Sequence, residues 1–466
     1  MTRRRAIRNL DSRGGWRRRD TAMTAHAKVR ESAAFVLERT LDSRAPVSTF
    51  LDGALERCDP RDHALLRELV LGTLRWLRFI DHVLVAAAQR PLHRIQRALL
   101  APLRIGAYQL FFLDRVPPHA AVNEAVEQAG SRTHAGGASF VNGVLRRIAR
   151  SPRRDDWPAE PGDLTTRLGI RHSHPDLLVE RWLGIYGEER TVALLGANNL
   201  PKPLHLLAFR DRGGRALLAE QLIDDDVGVE PSVLAPHCVT VRWGNPLTTD
   251  AYRQGGFYVQ DEASQLAAIV PPPVPGERVL DVAAAPGGKT FAVLAEQPDV
   301  QSIAADVSLG RLVTMGRNAG RLKLRPRLLA ADSLALPFGP VFDRVVVDLP
   351  CSGTGTLRKH PELKWRISAA EIERLSAEGL AMVRGASECV RPGGLLVVIS
   401  CSIEPEENEA VAAAFLESRI DFRRRDLLVD LRPPAQEHVA GPGLWRLLPA
   451  ADHDGFTVQV LERGDD

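Results

Sequence analysis

The chain has 466 residues, a length that predicts two or three domains rather than one ordinary core. Hydrophobic residues make up 44% of it and charged residues 26%, a balance that excludes a disordered chain and is typical of a globular protein. No stretch reaches the ~20 apolar residues of a membrane span, and no apolar signal core follows the basic start. The sequence therefore predicts a protein without a membrane partner.

Basic residues are concentrated at the start of the chain, although the formal net charge is only +3. Residues 1–20 contain eight arginines and two aspartates, the composition of a segment that binds polyanions. An unstructured tail without a partner, or a segment ahead of a true start at Met23, explains the same composition equally well. We predict a basic disordered arm over residues 1–24 and leave its role open.

Apolar residues at three- and four-residue spacing predict a series of helices in the front part of the chain. Breakers such as Asp59 with Pro60, and Pro117 with Pro118, separate these helices. The pattern predicts an all-α domain of packed helices over residues 25–150. The predicted helices are Ala27–Leu41, His63–Leu77, Ile80–Ala88, Ile95–Leu113, Ala120–Ala129 and Phe140–Ile148.

The middle of the chain has a mixed pattern. Residues 151–165 are rich in proline, arginine and aspartate and are predicted to form a linker. Residues 166–270 alternate between helical and strand patterns, which favours a small α+β subdomain. Its predicted elements are the helices Asp176–Tyr186 and Thr191–Ala197 and the strands His205–Phe209 and Val239–Val241.

The last region, residues 271–466, opens with a proline cluster and then alternates strands with helices. This alternation predicts a mostly parallel, doubly wound α/β sheet, with a final strand at about Phe456–Leu461 lying at one edge. Ligands bind such sheets beyond the carboxyl ends of the strands. The predicted parallel strands are Arg278–Val282, Ser302–Ala305, Arg327–Ala330, Arg344–Val347 and Leu395–Ile399.

A glycine-containing loop follows the first of these strands and leads into a helix. Glycines let a ligand approach the backbone, and a helix N-terminus favours electron-rich groups. The loop matches neither the dinucleotide-binding fingerprint nor the phosphate loop of nucleoside triphosphatases, so a nucleoside without phosphates is favoured. The residues of the loop are Ala283, Ala284, Ala285, Pro286, Gly287, Gly288 and Lys289.

Acidic residues stand at the ends of three successive strands: Asp281, Asp306 and Asp332. Asp306 is placed to accept hydrogen bonds from ribose hydroxyls, and Asp332 could face an adenine amino group. Each aspartate alone would more often be a helix cap or a turn residue, but three at one sheet edge favour a binding site. S-adenosylmethionine is the inferred ligand. NAD competes with it, and the missing fingerprint disfavours NAD.

Two cysteines, Cys351 and Cys401, each follow a strand whose end borders this predicted pocket. Carbon 5 of cytosine is a poor nucleophile, but a thiolate that adds at carbon 6 makes an enamine able to attack a sulfonium methyl group. Asp348 could supply a polar contact near ring nitrogen 3. Enzymes that methylate exocyclic nitrogens need no thiol, so the pair favours ring-carbon chemistry. Sequence spacing does not rank the two thiols.

The remaining cysteines, Cys58, Cys238 and Cys389, are expected to be small buried hydrophobic residues. Five cysteines are few and odd in number, and they lack the spacing of metal ligands. We therefore predict reduced thiols in a cytoplasmic protein, with no metal site and no disulfide framework.

Two sets of motifs carry a family resemblance from about residue 25 onward. They are Gly256–Ser264, Asp281–Thr290, Asp348–Gly355, Pro361–Trp365 and Ser400–Asn408 in the rear half, and Leu69–Trp76, Leu103–Leu113, Val116–Val126 and Phe140–Arg147 in the front half. At these residues the chain closely resembles the bacterial ribosomal RNA cytosine-carbon-5 methyltransferases of the Sun (RsmB) type. The resemblance implies a NusB-like helical RNA-binding domain followed by a Rossmann-like, S-adenosylmethionine-dependent methyltransferase domain.

The resemblance also implies roles for single residues. Cys401 is the implied nucleophile, and Cys351 is implied to assist product release. The glycine loop is implied to bind the cofactor together with Asp306, Arg311, Asp332 and Asp348. The implied substrate is 16S ribosomal RNA, and the implied enzyme is a monomer.

Three positions depart from the usual pattern of the family. Ala283 stands where a cysteine is frequent, Ser400 replaces a common threonine, and Thr457 replaces an aromatic residue, which is expected to alter packing near the target base slightly. Two alternative functions stay open: a cytosine-carbon-5 methyltransferase of transfer RNA, and a non-catalytic RNA-binding assembly factor.

Overall fold

The computed structural model describes residues 29–157 and 162–465, which divide after Ser173 into two compact units. The predicted basic arm over residues 1–24 lies outside the described residues. None of the helices in the described ranges is long and apolar enough to cross a membrane.

The first unit is all-α, as the helical periodicity predicts. The sequence does not predict α2 or α8, and α8 begins inside the predicted linker. The side chain of Asp163 caps α8 by accepting a hydrogen bond of 2.8 Å from the Thr166 N–H, so the aspartate that indicated a loop is a helix cap. The helices are α1 Val29–Asp42, α2 Ser48–Glu56, α3 His63–Arg75, α4 Leu77–Ala88, α5 Arg97–Phe112, α6 Pro118–Arg132, α7 Ala135–Arg150 and α8 Leu164–Arg171.

The second unit opens with a four-stranded antiparallel sheet in the order β2-β3-β1-β4. The two helices predicted before this sheet meet at a kink within α9, where Gly187 has a non-helical backbone with φ 75° and ψ 174°. The elements are α9 Asp176–Ala197, β1 Leu204–Ala208, α10 Gly214–Asp224, β2 Gly228–Pro231, β3 Cys238–Trp243, α11 Asp250–Arg253, β4 Phe257–Val259 and α12 Glu262–Ala268.

A nine-stranded sheet forms the rest of the second unit, with the order β11-β12-β13-β9-β8-β5-β6-β7 and β10 paired to β13. The strands from β9 to β7 are parallel, as predicted. The elements are β5 Arg278–Val282, α13 Gly288–Glu296, β6 Gln301–Asp306, α14 Leu309–Arg321, β7 Arg327–Ala330, β8 Phe342–Asp348, α15 Ala369–Ser387, β9 Val390–Ser400, α16 Glu409–Ser418, β10 Phe422–Arg424, β11 Val439–Gly441, β12 Leu444–Leu447 and β13 Phe456–Arg463.

The central strands of this sheet are buried on both faces. Val346 and Val397 pack in one core with residues of α12 to α14, whereas their neighbours Val345 and Leu396 pack in a second core with α15 and α16. The chain runs outward from β5 to β7 and then returns to β8 on the other side of β5. The carboxyl ends of β5 and β8 therefore meet at the switch point, where doubly wound sheets bind ligands.

The predicted edge position of the last strand is wrong. β13 pairs with β9 on one side and with β12 on the other, so it lies inside the sheet. The strands β11 and β12 that extend the sheet have only three and four residues. Such short strands leave too little alternation to be recognised in the sequence.

Candidate active site

The glycine loop between β5 and α13 has the backbone conformation that its composition suggests. Gly287 has a φ of 115°, and a Cβ atom there would lie 2.4 Å from the ring of Phe291. The Ala284 N–H donates to the Ala305 carbonyl on β6 at 2.9 Å, which holds the loop against the sheet edge. The loop thus presents its backbone, rather than large side chains, to the space above β5.

A cavity of about 430 Å³ opens beside this loop at the carboxyl edge of the sheet. Both candidate cysteines line it, and so do Asp348 and Lys289. Of the other predicted cofactor residues, Ala284, Ala285, Pro286 and Gly288 line the cavity, whereas Ala283, Gly287, Asp306, Arg311 and Asp332 do not.

Asp306 is buried behind the loop and supports it. One carboxylate oxygen accepts from the Ala285 N–H at 3.2 Å, and the other accepts from the Ser308 N–H at 2.8 Å. Arg311 forms an ion pair with Asp306 at 3.2 Å and also donates to the Ala285 carbonyl. Asp332 is exposed and accepts from the Leu334 N–H at 3.0 Å, the turn geometry that a lone aspartate commonly adopts.

The two thiols lie side by side because their strands are parallel neighbours. Leu349, just after β8, donates its N–H to the Ile399 carbonyl of β9 at 2.8 Å, so the chain leaves both strands at one level. The Sγ atoms of Cys351 and Cys401 are 3.2 Å apart. Cys58, Cys238 and Cys389 are buried elsewhere.

This contact makes the two sulfurs unequal acids. A hydrogen bond from Cys401 lowers the pKa of Cys351, since it stabilises a thiolate there. The same contact, with burial and the negative charges of Cys351 and Asp348, raises the pKa of Cys401 well above its ordinary value, and Lys289 partly opposes this rise. The pair is therefore expected to lose its first proton from Cys351 and to keep the second on Cys401.

Lys289 and Asp348 form an ion pair at the base of the cavity, with 2.5 Å between Nζ and Oδ2. Burial alone would lower the pKa of Lys289, but the carboxylate of Asp348 raises it above its ordinary value. Beneath them, burial raises the pKa of Asp281 to about 7, and Thr290 donates a hydrogen bond of 2.5 Å to its carboxyl group. Lys289 is thus a fixed cation next to the thiols.

A buried polar network braces the loops that carry the cysteines. Glu407 accepts from the Ser352 N–H at 2.7 Å and from the Ser352 hydroxyl at 2.6 Å. The hydroxyl groups of Thr354 and Ser402 are 3.1 Å apart, and Thr457 of β13 donates to the Ser402 carbonyl at 3.0 Å. Thr457, which departs from the family pattern, therefore supports the loop of Cys401 directly.

Sequence reasoning missed the residues on the opposite wall of the cavity. Several of them belong to the run Gly256–Ser264. The sequence identified this run as a family motif but did not indicate that it lines the cavity. Lys202 bridges Asp261 and Asp454 at 3.1 Å each. The lining residues that were not predicted are Tyr258, Val259, Gln260, Asp261, Ser264, Leu349, Gly353, Thr356, Lys359, His360, Leu363, Asp454 and Phe456.

No group of three or more histidine, cysteine, aspartate or glutamate side chains within residues 29–157 and 162–465 is placed to hold a metal ion.

Gly355 fixes the distance between the Cys351 loop and the residue that precedes β13, Gly455. A Cβ atom there would lie 2.3 Å from the Gly455 carbonyl oxygen and 2.8 Å from that of Cys401. Because both obstacles are backbone atoms, we expect Gly355→Ala to lower the free energy of unfolding by about 1–3 kcal/mol and to displace Cys401. Urea unfolding would measure the loss of stability. Gly339→Ala, whose Cβ would meet no atom within 4 Å, is the control; equal behaviour of the two variants would contradict this prediction.

Comparison with known proteins places the chain in a family. The model of the 16S rRNA methyltransferase RsmB/F family matches residues 268–462, and the model of the NusB family matches residues 18–150. The ribosomal RNA small subunit methyltransferase B of Vibrio cholerae is 33% identical over 440 residues, which cover 93% of this chain and 97% of that protein. The probable small subunit methyltransferase B of Bacillus subtilis is 32% identical over 412 residues, covering 86% and 91%.

A solved structure has the same architecture over nearly the whole length. The crystal structure of PH0851 superimposes with a TM-score of 0.76 at 25% identity and covers 94% of this chain and 99% of that one. The predicted order of a NusB-like helical part before a Rossmann-like methyltransferase part is confirmed, and the methyl donor of this class is S-adenosylmethionine, as predicted. The chain belongs to the RsmB/F family of 16S ribosomal RNA methyltransferases.

Proposed function

We propose that this enzyme methylates carbon 5 of a cytosine in 16S ribosomal RNA through a covalent bond between Cys401 and the ring. The observation that carries the proposal is the pair of sulfurs 3.2 Å apart in the cavity that the glycine loop also lines. A nucleophile is needed for methylation of a pyrimidine ring carbon and is superfluous for methylation of an exocyclic nitrogen. Because the proposed substrate is ribosomal RNA, the proposed place of action is the cytoplasm; a monomer remains our prediction.

The residues around the loop fit a nucleoside methyl donor. The lining residues Ala284, Ala285, Pro286 and Gly288 have small side chains, and a Cβ atom on Gly288 would lie 3.3 Å from the Gln260 amide nitrogen, so a side chain there would crowd Gln260. S-adenosylmethionine supplies an electrophilic methyl group when it is bound. We propose that the loop Ala283–Lys289 and Asp348 hold it. Asp306 and Arg311 brace this loop, and the direct contacts of Asp306 and Asp332 with the donor stay predictions.

The difference between the pKa values of the two thiols suggests how Cys401 becomes a nucleophile. Once the pair has lost one proton, Cys351 carries the negative charge and Cys401 the remaining proton. As Cys401 Sγ bonds to carbon 6, its proton passes to Cys351 Sγ, and the negative charge moves into the ring. Asp348 is proposed to contact ring nitrogen 3 through a proton that this nitrogen takes from solvent as the charge arrives and returns to solvent on release, because a carboxylate can only accept a hydrogen bond. Lys289 beside it is the compensating cation. Carbon 5 then accepts the methyl group.

Release reverses the first step. The carbon 5 proton leaves to solvent, the bond between Cys401 Sγ and carbon 6 breaks, and the departing sulfur takes back the proton held by Cys351. Cys401 is then a thiol again and Cys351 a thiolate, as before the reaction. Without Cys351, the rise that its hydrogen bond and charge cause in the pKa of Cys401 is also lost, so Cys401 can still ionise and bond. We therefore propose that the second cysteine is needed more for release than for bond formation.

The proposed function is tested by incubating the protein with labelled S-adenosylmethionine and either unmodified 16S ribosomal RNA or transfer RNA. We expect label in 16S ribosomal RNA and, after nuclease digestion, in 5-methylcytidine. Label on a ribose or an exocyclic nitrogen, label in transfer RNA alone, or no transfer to either RNA would contradict the proposal.

A further inference from the structure

The carboxylates that line the cavity are already paired with cations. Each pair is close enough for a direct ionic contact. The cations therefore neutralise the carboxylates on the wall that faces the thiols. The pairs are Lys289 with Asp348 at 2.5 Å, Lys202 with Asp261 and with Asp454 at 3.1 Å each, and Arg358 with Asp454 at 2.9 Å.

Lys359 also lines the cavity, and it belongs to none of these ion pairs. It is exposed to solvent while it also lines the cavity, so it stands at the opening. Among the residues that the structure describes, its side chain has no carboxylate partner. Its neighbour His360 does not add a second cation at neutral pH, because burial and the charge of Lys359 lower the pKa of His360 to about 4.

The surroundings of Lys359 make an anion a favourable neighbour. Solvent reaches the Lys359 side chain, but the side chain lies in a concave recess. Burial there, together with the charge of Lys202, lowers the pKa of Lys359. A positive charge that its surroundings destabilise gains from any anion that enters the recess. The nearby Asp454 and Asp261 oppose this lowering but are neutralised by their own partners.

The backbone at Lys359 is held rigidly. Arg358 is buried and donates from its guanidinium group to the carbonyl oxygens of Ala450 and Ala451, at 3.0 and 2.8 Å. The Lys359 N–H donates to the Thr356 carbonyl at 3.0 Å. The ammonium group therefore extends from a fixed base, and an anion bound there would be held at a defined distance from the thiols.

We propose that Lys359 binds an RNA phosphate adjacent to the target nucleotide and so positions the cytosine over the thiols. This inference rests on the proposed function. A pyrimidine must leave its stack to reach a thiol at the bottom of a cavity, while its flanking phosphates remain near the opening. A lysine ammonium is a compact point charge that suits such a phosphate. The geometry thus assigns to Lys359 a substrate-positioning role.

The test compares Lys359→Gln, Lys359→Arg and a matched control, Lys323→Gln, which removes an exposed lysine at the end of α14. The probe is 16S ribosomal RNA transcribed in vitro, and binding is measured at several salt concentrations. We expect Lys359→Gln to reduce the slope of log affinity against log salt by about 0.7, the value for one phosphate of a single strand. We also expect kcat/KM for RNA to fall roughly 10- to 100-fold, as for a lost hydrogen bond to a charged group.

Lys359→Arg should keep the salt slope, and Lys323→Gln should behave like the natural chain. Equal slopes and equal kcat/KM for Lys359→Gln and Lys323→Gln would overturn the assignment. So would weaker binding of S-adenosylhomocysteine by Lys359→Gln with an unchanged RNA slope, since Lys359 would then hold the donor instead. The salt slope needs no turnover: a natural chain that binds RNA but makes no 5-methylcytidine would refute the proposed function and leave this test valid.

Discussion

Cys401→Ala is expected to lower the rate of methyl transfer to ribosomal RNA by at least ~10³-fold, because cytosine carbon 5 then stays unactivated. The measurement is single-turnover transfer of labelled methyl groups at saturating S-adenosylmethionine. Cys389→Ala is the control, since that thiol is buried away from the cavity and should leave the rate unchanged. A Cys401→Ala variant with the rate of the control would refute the assignment of the nucleophile.

Cys351→Ala should behave differently from Cys401→Ala. Without the neighbouring sulfur, the bond between Cys401 and carbon 6 lacks its proposed proton donor for cleavage, so a covalent adduct of protein and RNA should accumulate. Denaturing electrophoresis with labelled RNA would detect it, and the double variant Cys351→Ala with Cys401→Ala should form none.

The same pair of variants tests the order of the thiols, which the pKa values alone do not decide. The lower pKa belongs to Cys351, so pKa alone would favour Cys351 as the attacking thiolate. Our proposal makes that thiolate the base instead and Cys401 the nucleophile. An adduct that forms in Cys401→Ala and is absent in Cys351→Ala would reverse the two roles.

Much of this site was predictable because parallel strands deliver their carboxyl ends to one edge of a sheet. Cys351, Cys401 and Asp348 each follow a strongly hydrophobic strand, so their convergence follows from the strand pattern. The same rule failed for Asp332, which also follows a strand but is exposed in a turn of its own. Strand ends indicate an edge of the sheet and do not indicate where each side chain points.

The opposite wall of the cavity was not predictable from local patterns. Lys202 and Asp454 are 252 positions apart in the chain and meet in an ion pair of 3.1 Å. Spacing and periodicity describe neighbours within one element and carry no information on such pairings. For Asp306, the sequence indicated the sheet edge, but only the structure shows that one of its oxygens accepts from Ala285 in the loop and the other from Ser308 after β6.

Lys289→Met is expected to lower methyl transfer at pH 7.5 roughly 10- to 1000-fold and to shift its pH dependence. The Lys289 ammonium lowers the pKa of Cys401, so its loss raises that pKa further. An opposite charge at close range is worth about one to three pKa units, and each unit changes the thiolate fraction about tenfold. Because the proposed attack needs the pair of thiols to have lost one proton, and the ammonium stabilises that singly deprotonated pair, the rising limb of kcat against pH should move to higher pH. Single-turnover rates between pH 6 and pH 10 would measure the shift.

The conservative variant separates charge from shape in this prediction. Methionine keeps most of the length of lysine and its contact with the ring of Phe456, which lies 5.4 Å from Nζ, but it carries no charge. Lys289→Arg keeps the charge beside Asp348, so its rising limb should stay near that of the natural enzyme even if its rate is lower. If Lys289→Met instead loses rate with an unshifted pH profile, the ammonium acts by placing Asp348 and not by favouring the thiolate. In that case Cys351 alone would have to remove the proton of Cys401, and the pH profile of Cys351→Ala adduct formation would rise at higher pH than that of the natural enzyme.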